Sequence, residues 1–202
     1  FQSIVGPSYV LAPQCPTYWM DNVGDGSTLF GGEIHADGTS YYTQSLIELI
    51  DDYKEKVGAK KVVICGCSNG GYMTMVLAMK VGKKYDCYVP ICEAVGDKYI
   101  SEAQIETLAQ VPLFFIYSLD DPTVDPQLHE IPTITRLVNA GATNLCVSTT
   151  EDVRDTSNSY VNEDGSPYKY SGHWSWIYFD NNESSDNITG IPVFEWIKQQ
   201  IQ

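Results

Sequence analysis

The sequence predicts an α/β fold built on a parallel sheet. Three observations carry that prediction: short apolar runs alternate with stretches of helical period, the runs lack polar alternation, and the breaks between them fall at glycine, proline or polar residues. Five runs read as strands. They are SYVLAPQ (8–14), KKVVICG (60–66), DCYVPICEA (86–94), VPLFFIYS (111–118) and TNLCVSTT (143–150). Their unbroken apolar character is that of strands covered on both faces, which requires helices on both sides of the sheet.

Five stretches read as helices. In SYYTQSLIELIDDYKEKVG (40–58), Leu46, Leu49, Ile50, Tyr53 and Val57 fall on one stripe that stops at Gly58, a natural C-cap. The others are 69–82, 101–110, 132–141 and 191–201; two carry proline at or near the first turn and two close on glycine. Strand, helix, strand in repeated order implies crossover connections of one hand. Two long irregular stretches, 16–39 and 151–174, interrupt the pattern, and loops of that length inside a compact domain are usually functional. The second holds EDGS, a hairpin turn flanked by Tyr160 and Tyr168.

The chain's 202 residues, 43% of them hydrophobic, suffice for one sizeable core, and one domain over 1–202 is the expected organisation. A net charge of −14 repels polyanions, so nucleic acid and anionic membranes are disfavoured as partners. No stretch reaches the roughly 18 apolar residues of a membrane span, and FQSIVGPSYV lacks the three regions of a signal peptide. The six cysteines show no C-x-x-C pairing and no histidine at metal-ligand spacing, so thiols are the expected state and a zinc site is not. DTSNSYVNEDG is rich in oxygen ligands but lacks EF-hand spacing, so it reads as a solvated loop. Neither a metal nor a cofactor is called for.

The most informative segment is CGCSNGGYMT (65–74), which follows the strand-like KKVVI. Gly66-Cys67-Ser68-Asn69-Gly70 matches G-x-S-x-G, with a strand before it and a helix after it, the context in which such a turn exposes the serine hydroxyl. The helix N-terminus behind Ser68 aims free amides at the place where negative charge would develop, with the Asn69 N–H as one oxyanion donor. A serine needs a base, and the base needs an orienting carboxylate. Only three histidines exist. In this kind of fold the order is serine, acid, histidine; His35 precedes the serine, and His129 lies eight residues past Asp121 with no strand between. His173, in YSGHWSW after the last strand and before the last helix, stands in the right place, although its aromatic neighbours would also suit core packing. The acid comes from YSLDDPTVDP, where Asp121, Asp120 and Asp125 are candidates in that order.

These residues resemble the α/β-hydrolase superfamily, and within it the esterases and peptidases similar to polyhydroxybutyrate depolymerases, feruloyl esterases and the prolyl-oligopeptidase group. GCSNGGYMT resembles their nucleophile elbow and GHWSW their histidine loop. YSLDDPTVDP resembles their G-x-x-D-x-x-V-P acid loop with Ser118 in place of glycine, a spacing that puts Asp121 first. YVLAPQCP is similar to a strand about midway through the full fold. The resemblance therefore implies the later part of that fold, with N-terminal strands and a His-Gly-type oxyanion loop lying upstream of the given chain. It also implies that 8–14 is a strand paired by sequence outside the chain.

The function implied is a serine hydrolase cleaving carboxylic esters through Ser68, Asp121 and His173, on a small-molecule or polymer-linked substrate. Trp19, Trp174 and Trp176 are candidates to stack on a sugar or phenolic ring, against the alternative of loop and core packing. A serine peptidase is the second reading, from the Ser-Asn-Gly-Gly form of the elbow, and a silent binding module the third.

Overall fold

A computed structural model describes residues 1–26 and 34–202; part of the irregular stretch 16–39 therefore lies outside the described residues. Four parallel strands lie in the order of the sequence: β1 (Val63–Cys67), β2 (Cys87–Ile91), β3 (Leu113–Ser118) and β4 (Leu145–Thr150). Their register pairs Cys65 with Val89, Ile91 with Ile116 and Phe115 with Val147. Every residue of β2 and β3 is buried, whereas β1 and β4 are partly exposed, as the central and outer strands of a sheet covered on both faces must be.

Because side chains alternate along a strand, the sheet feeds two cores. On one face Tyr88, Leu113, Phe115 and Tyr117 pack with α2 (Thr43–Val57), α3 (Asn69–Val81), α4 (Glu102–Leu108) and α5 (Glu130–Asn139). On the other, Val89, Ile91, Phe114 and Ile116 meet α7 (Val193–Ile201), against which α1 (Gln2–Val5) also rests. There Phe114 meets Trp196 edge-on at 5.3 Å, a geometry that adds about 0.5–1.5 kcal/mol to the area buried.

The helix ends follow local chemistry. Gly58 takes the left-handed conformation that ends α2, its N–H bonding back to Lys54 and Glu55. Ser101 and Gln104 form a reciprocal capping box on α4. The helix predicted over 132–141 begins two residues earlier, at Glu130, with Pro132 still inside the first turn, where a missing N–H leaves no intrahelical bond unmade. The hairpin turn forms as its sequence predicts: Gly165 has φ 80°, its N–H donates to Asn162, and Tyr168 N–H donates to Tyr160. The β5–β6 pair (Val153–Arg154 with Lys169–Tyr170) brackets that turn, and the short α6 (Trp176–Asp180) follows it.

One expected strand is absent. Residues 8–14 form no ladder; Tyr9 and Val10 are 67% and 78% exposed, while Leu11 packs against the core. A strand exists only where a neighbour stands at ladder distance. Here Tyr9, Leu11 and Pro13 instead line a groove of about 330 Å³ together with Val63, Ile64 and Cys65 of β1 and residues of α2 and α3. Among the described residues the outer edge of β1 has no strand partner. No helix among them is long and apolar enough to cross a membrane.

Candidate active site

The site is assembled at the C-terminal ends of β1, β2 and β3. Ser68 joins β1 to α3 at φ 55° and ψ −116°, a conformation that side chains rarely adopt and that the surroundings must enforce. Its N–H donates to the Ile91 carbonyl at 2.9 Å, tying the turn to the end of β2. The glycines around it serve different needs. A Cβ on Gly66 would meet the Gly70 carbonyl at 2.6 Å, and one on Gly71 would meet the Ile91 carbonyl at 2.5 Å, whereas Gly70 has open space. The first glycine of the motif and the one just after it thus allow backbones to approach.

His173 lies in a 3₁₀ turn, Gly172–Trp174, whose start is capped by Ser171. Its Nε2 stands 2.9 Å from Ser68 Oγ and its Nδ1 2.8 Å from Asp121 Oδ2. Three residues separated by 53 and 52 positions in sequence are thereby joined in one hydrogen-bonded chain. Asp121 follows β3 and is almost wholly inaccessible. Burial pushes its pKa up, but the bonds from His173 and from the Val124 and Thr123 amides outweigh that effect and hold it below the ordinary carboxylate range.

The other predicted acids do other things. Asp120 accepts from Ser118 Oγ at 2.7 Å and pairs with Lys169 at 2.8 Å, and Asp125 caps its own turn through the Gln127 amide. His129 bonds the Asp125 carbonyl through Nδ1, and His35 offers its carbonyl to Tyr72. Asn69 is the first residue of α3, where a helix leaves its leading amides without intrahelical acceptors.

The three tryptophans separate. Trp174 and Trp176 continue a row of rings, Tyr168 to Tyr170 at 5.1 Å, Tyr170 to Trp174 at 5.9 Å and Trp174 to Trp176 at 5.9 Å, and the row ends on the His173 ring at 6.0 Å. Trp19 is not part of it; it packs edge-on against Tyr42 and lines the groove beside β1.

Two residues with no separate role in the sequence reading also shape the site. A Cβ on Gly172 would fall 2.2 Å from Asp120 Oδ1 and 2.7 Å from its backbone, so glycine is what lets the histidine turn lie against the acid turn. Its position just before His173 was the available signal. Cys92, at φ 37°, donates from Sγ to the His173 carbonyl at 3.4 Å, a contact across 81 residues that no local pattern announces. Cys92, Asp121 and His173 place possible metal-ligand atoms within 4.8 Å of one another, but both imidazole nitrogens are already engaged by Ser68 and Asp121. The six cysteines are unpaired.

Comparisons with known proteins agree with this architecture. Residues 3–152 match the family described as phospholipase/carboxylesterase. Comparison with curated proteins returned no match. Among solved structures, the chain is similar to one titled "Crystal Structure of a Thermostable Esterase", with a TM-score of 0.62 and 21% identity, covering 85% of this chain and 40% of that one. At that identity the likeness is one of fold. The chain thus spans less than half the length of that esterase structure.

Proposed function

The chain belongs to the phospholipase/carboxylesterase family of α/β-hydrolases, and on that premise we propose that it hydrolyses carboxylic esters with Ser68 as nucleophile. The observation that carries this reading is the chain of bonds Ser68 Oγ–His173 Nε2 and His173 Nδ1–Asp121 Oδ2, at 2.9 and 2.8 Å, on a strained strand-to-helix turn. As Ser68 Oγ attacks the ester carbonyl carbon, His173 Nε2 takes its proton and passes it to the departing alkoxide. Asp121 keeps the other ring proton on Nδ1 and stabilises the imidazolium that forms. The Asn69 N–H, at the head of α3, faces the negative charge on the tetrahedral oxygen. Water, deprotonated by the same imidazole, then attacks the acyl-enzyme and frees the acid and Ser68.

The test is fluorophosphonate labelling of the protein followed by a chain-length panel of p-nitrophenyl esters, with peptide p-nitroanilides alongside. Labelling with ester turnover supports the reading; amide turnover in its place would move it to a peptidase, and neither would leave a silent hydrolase fold.

The alcohol or acyl group is proposed to carry a planar or pyranose ring resting on Trp174, which is 44% exposed beside His173. Trp174→Ala should raise KM about two- to tenfold for feruloyl or sugar esters, the range that corresponds to ~0.5–1.5 kcal/mol of ring contact. Its KM for p-nitrophenyl acetate and its kcat should hardly move; an equal rise for all esters in steady-state kinetics would remove the ring-stacking role.

Gly172→Ala should separate the histidine and acid turns, since the new methyl must displace Asp120 backbone. A displacement on the order of 1 Å lowers turnover about 10²-fold. kcat measured beside far-UV circular dichroism tests this: the rate should fall while the spectrum stays that of the parent.

A further inference from the structure

Beneath the acid turn lie two carboxyl groups that the proposed mechanism does not use. Glu93 follows β2 by two residues and Glu130 opens α5; their side chains are inside the protein, with the residues 0% and 1% exposed. Glu93 Oε2 accepts the Val95 N–H at 2.7 Å. Among the described residues its Oε1 and both oxygens of Glu130 lack a well-formed hydrogen bond, only the backbone amides of Glu93 and Glu130 lying near the Glu130 carboxyl, and neither carboxyl has an ion-pair partner. Two bare carboxylates in that position would carry a desolvation penalty of several kcal/mol each. A carboxylic acid donating to a carboxylate gives each group a partner and leaves one charge in place of two.

The place of the pair in the fold gives it leverage. The acid turn that carries Asp121 runs from the end of β3 to Glu130 itself. The segment after β2 touches that turn again where Asp97 N–H donates to the Leu128 carbonyl at 3.1 Å. The same segment begins with Cys92, which holds the His173 backbone. Glu93 thus belongs to the stretch that supports His173, and Glu130 ends the stretch that carries Asp121.

We propose that Glu93 and Glu130 share a proton as a hydrogen-bonded carboxyl pair and act as positioning residues, so that Asp121 stays aimed at His173 only while the pair holds that proton. On the alkaline side hydroxide takes it to form water. Two like charges then face each other without solvent, and the first turn of α5 moves away from the end of β2, carrying the acid turn with it.

The charges around the pair favour keeping the proton. Burial raises the pKa of both carboxyls well above the usual range; Glu93 and Asp121 raise Glu130 further, and Asp97 raises Glu93. Burial and the charge of Glu130 raise the phenol of Tyr117 on β3 as well. Arg136, the nearby cation of α5, is spent on Asp97, Glu102 and the Ile100 carbonyl, and His129 on the Asp125 carbonyl.

The kinetic arm of the test rests on the ester-hydrolase reading; the others do not. In Ser68→Ala protein carrying 13C-labelled glutamate carboxyls, two resonances should remain in the protonated or shared form at neutral pH and titrate together on the alkaline side. Ordinary acidic titration of every glutamate would overturn the proposal even if ester turnover were never found. In stability, the sign follows from the raised pKa: the folded state binds the proton more tightly, so stability is fully present below the unfolded carboxyl pKa and is lost as pH rises through the folded one. Glu130→Gln and Glu93→Gln, which replace the acid donor by an amide donor, should each remove that loss in urea titrations. In kinetics, the wild-type kcat, normalised to its plateau, should fall about tenfold per pH unit beyond the pair's last pKa. Each glutamine variant should push that fall upward by about one pH unit or more. A limb unchanged in both variants, with the NMR pair present, would overturn the positioning role.

Discussion

Ser68→Ala should abolish fluorophosphonate labelling and lower ester turnover by about 10⁶-fold, the scale on which a lone nucleophile is lost from a working triad. The backbone at Ser68 stays tied by its N–H to Ile91 and by its carbonyl to Tyr72 N–H, so the elbow does not depend on the hydroxyl. Thermal unfolding should therefore resemble that of the parent. Intact-mass detection of the adduct and a burst-phase assay with p-nitrophenyl acetate check this together. Parent-like turnover in the variant would end the assignment of Ser68 as nucleophile.

Asp121→Asn should lower kcat by about 10⁴-fold, because an amide facing Nδ1 can hold the wrong imidazole tautomer and cannot stabilise the imidazolium. Asp120→Asn is the matched control one position away. It loses charge toward Lys169, an ion pair whose partners are 49% and 32% exposed, and such pairs contribute about 0–1 kcal/mol. Its kcat should stay close to the parent value; reversed effects would transfer the acid role to Asp120. The two variants also differ in acid stability. With its carboxyl held below the ordinary range, Asp121 contributes stability that is present above its unfolded pKa and is lost as pH falls through the folded one. Urea titrations on the acid side should show that slope in Asp120→Asn and a shallower one in Asp121→Asn.

Much of this was legible in the amino-acid order, because the signals involved are local. The apolar runs that became β1 to β4 are continuous, and a continuous run needs cover on both faces whatever the rest of the chain does. Gly58 ends α2 because only its own φ matters there. Ser68 was legible from five residues and their flanks, and His173 from its place after the last strand. Asp121 was set ahead of Asp120 and Asp125 by the resemblance of YSLDDPTVDP to the G-x-x-D acid loop, since three aspartates in one turn have the same local chemistry.

What the tertiary structure decided depends on partners far apart in sequence. The Tyr-Val-Leu stretch at 9–11 has the composition of a strand, yet ladder bonds belong to pairs of segments, and this one faces a groove. Trp19 and Trp174 look alike in sequence, but one packs beside α2 and the other beside His173. Glu93, Cys92 and Glu130 carried no legible role, because a glutamate reads as a surface residue and a cysteine as a small core hydrophobe until the fold encloses it, and Gly172 was marked only by its place before His173. Sequence determined the four sheet strands, the main helices and the chemistry they carry, through short-range sterics and periodicity. The meeting of serine, imidazole and carboxylate within 3 Å was decided by the turns after β1 and β3 and the distant turn of His173 coming together at one end of the shared sheet, where Gly172 and Cys92 hold the histidine segment in place.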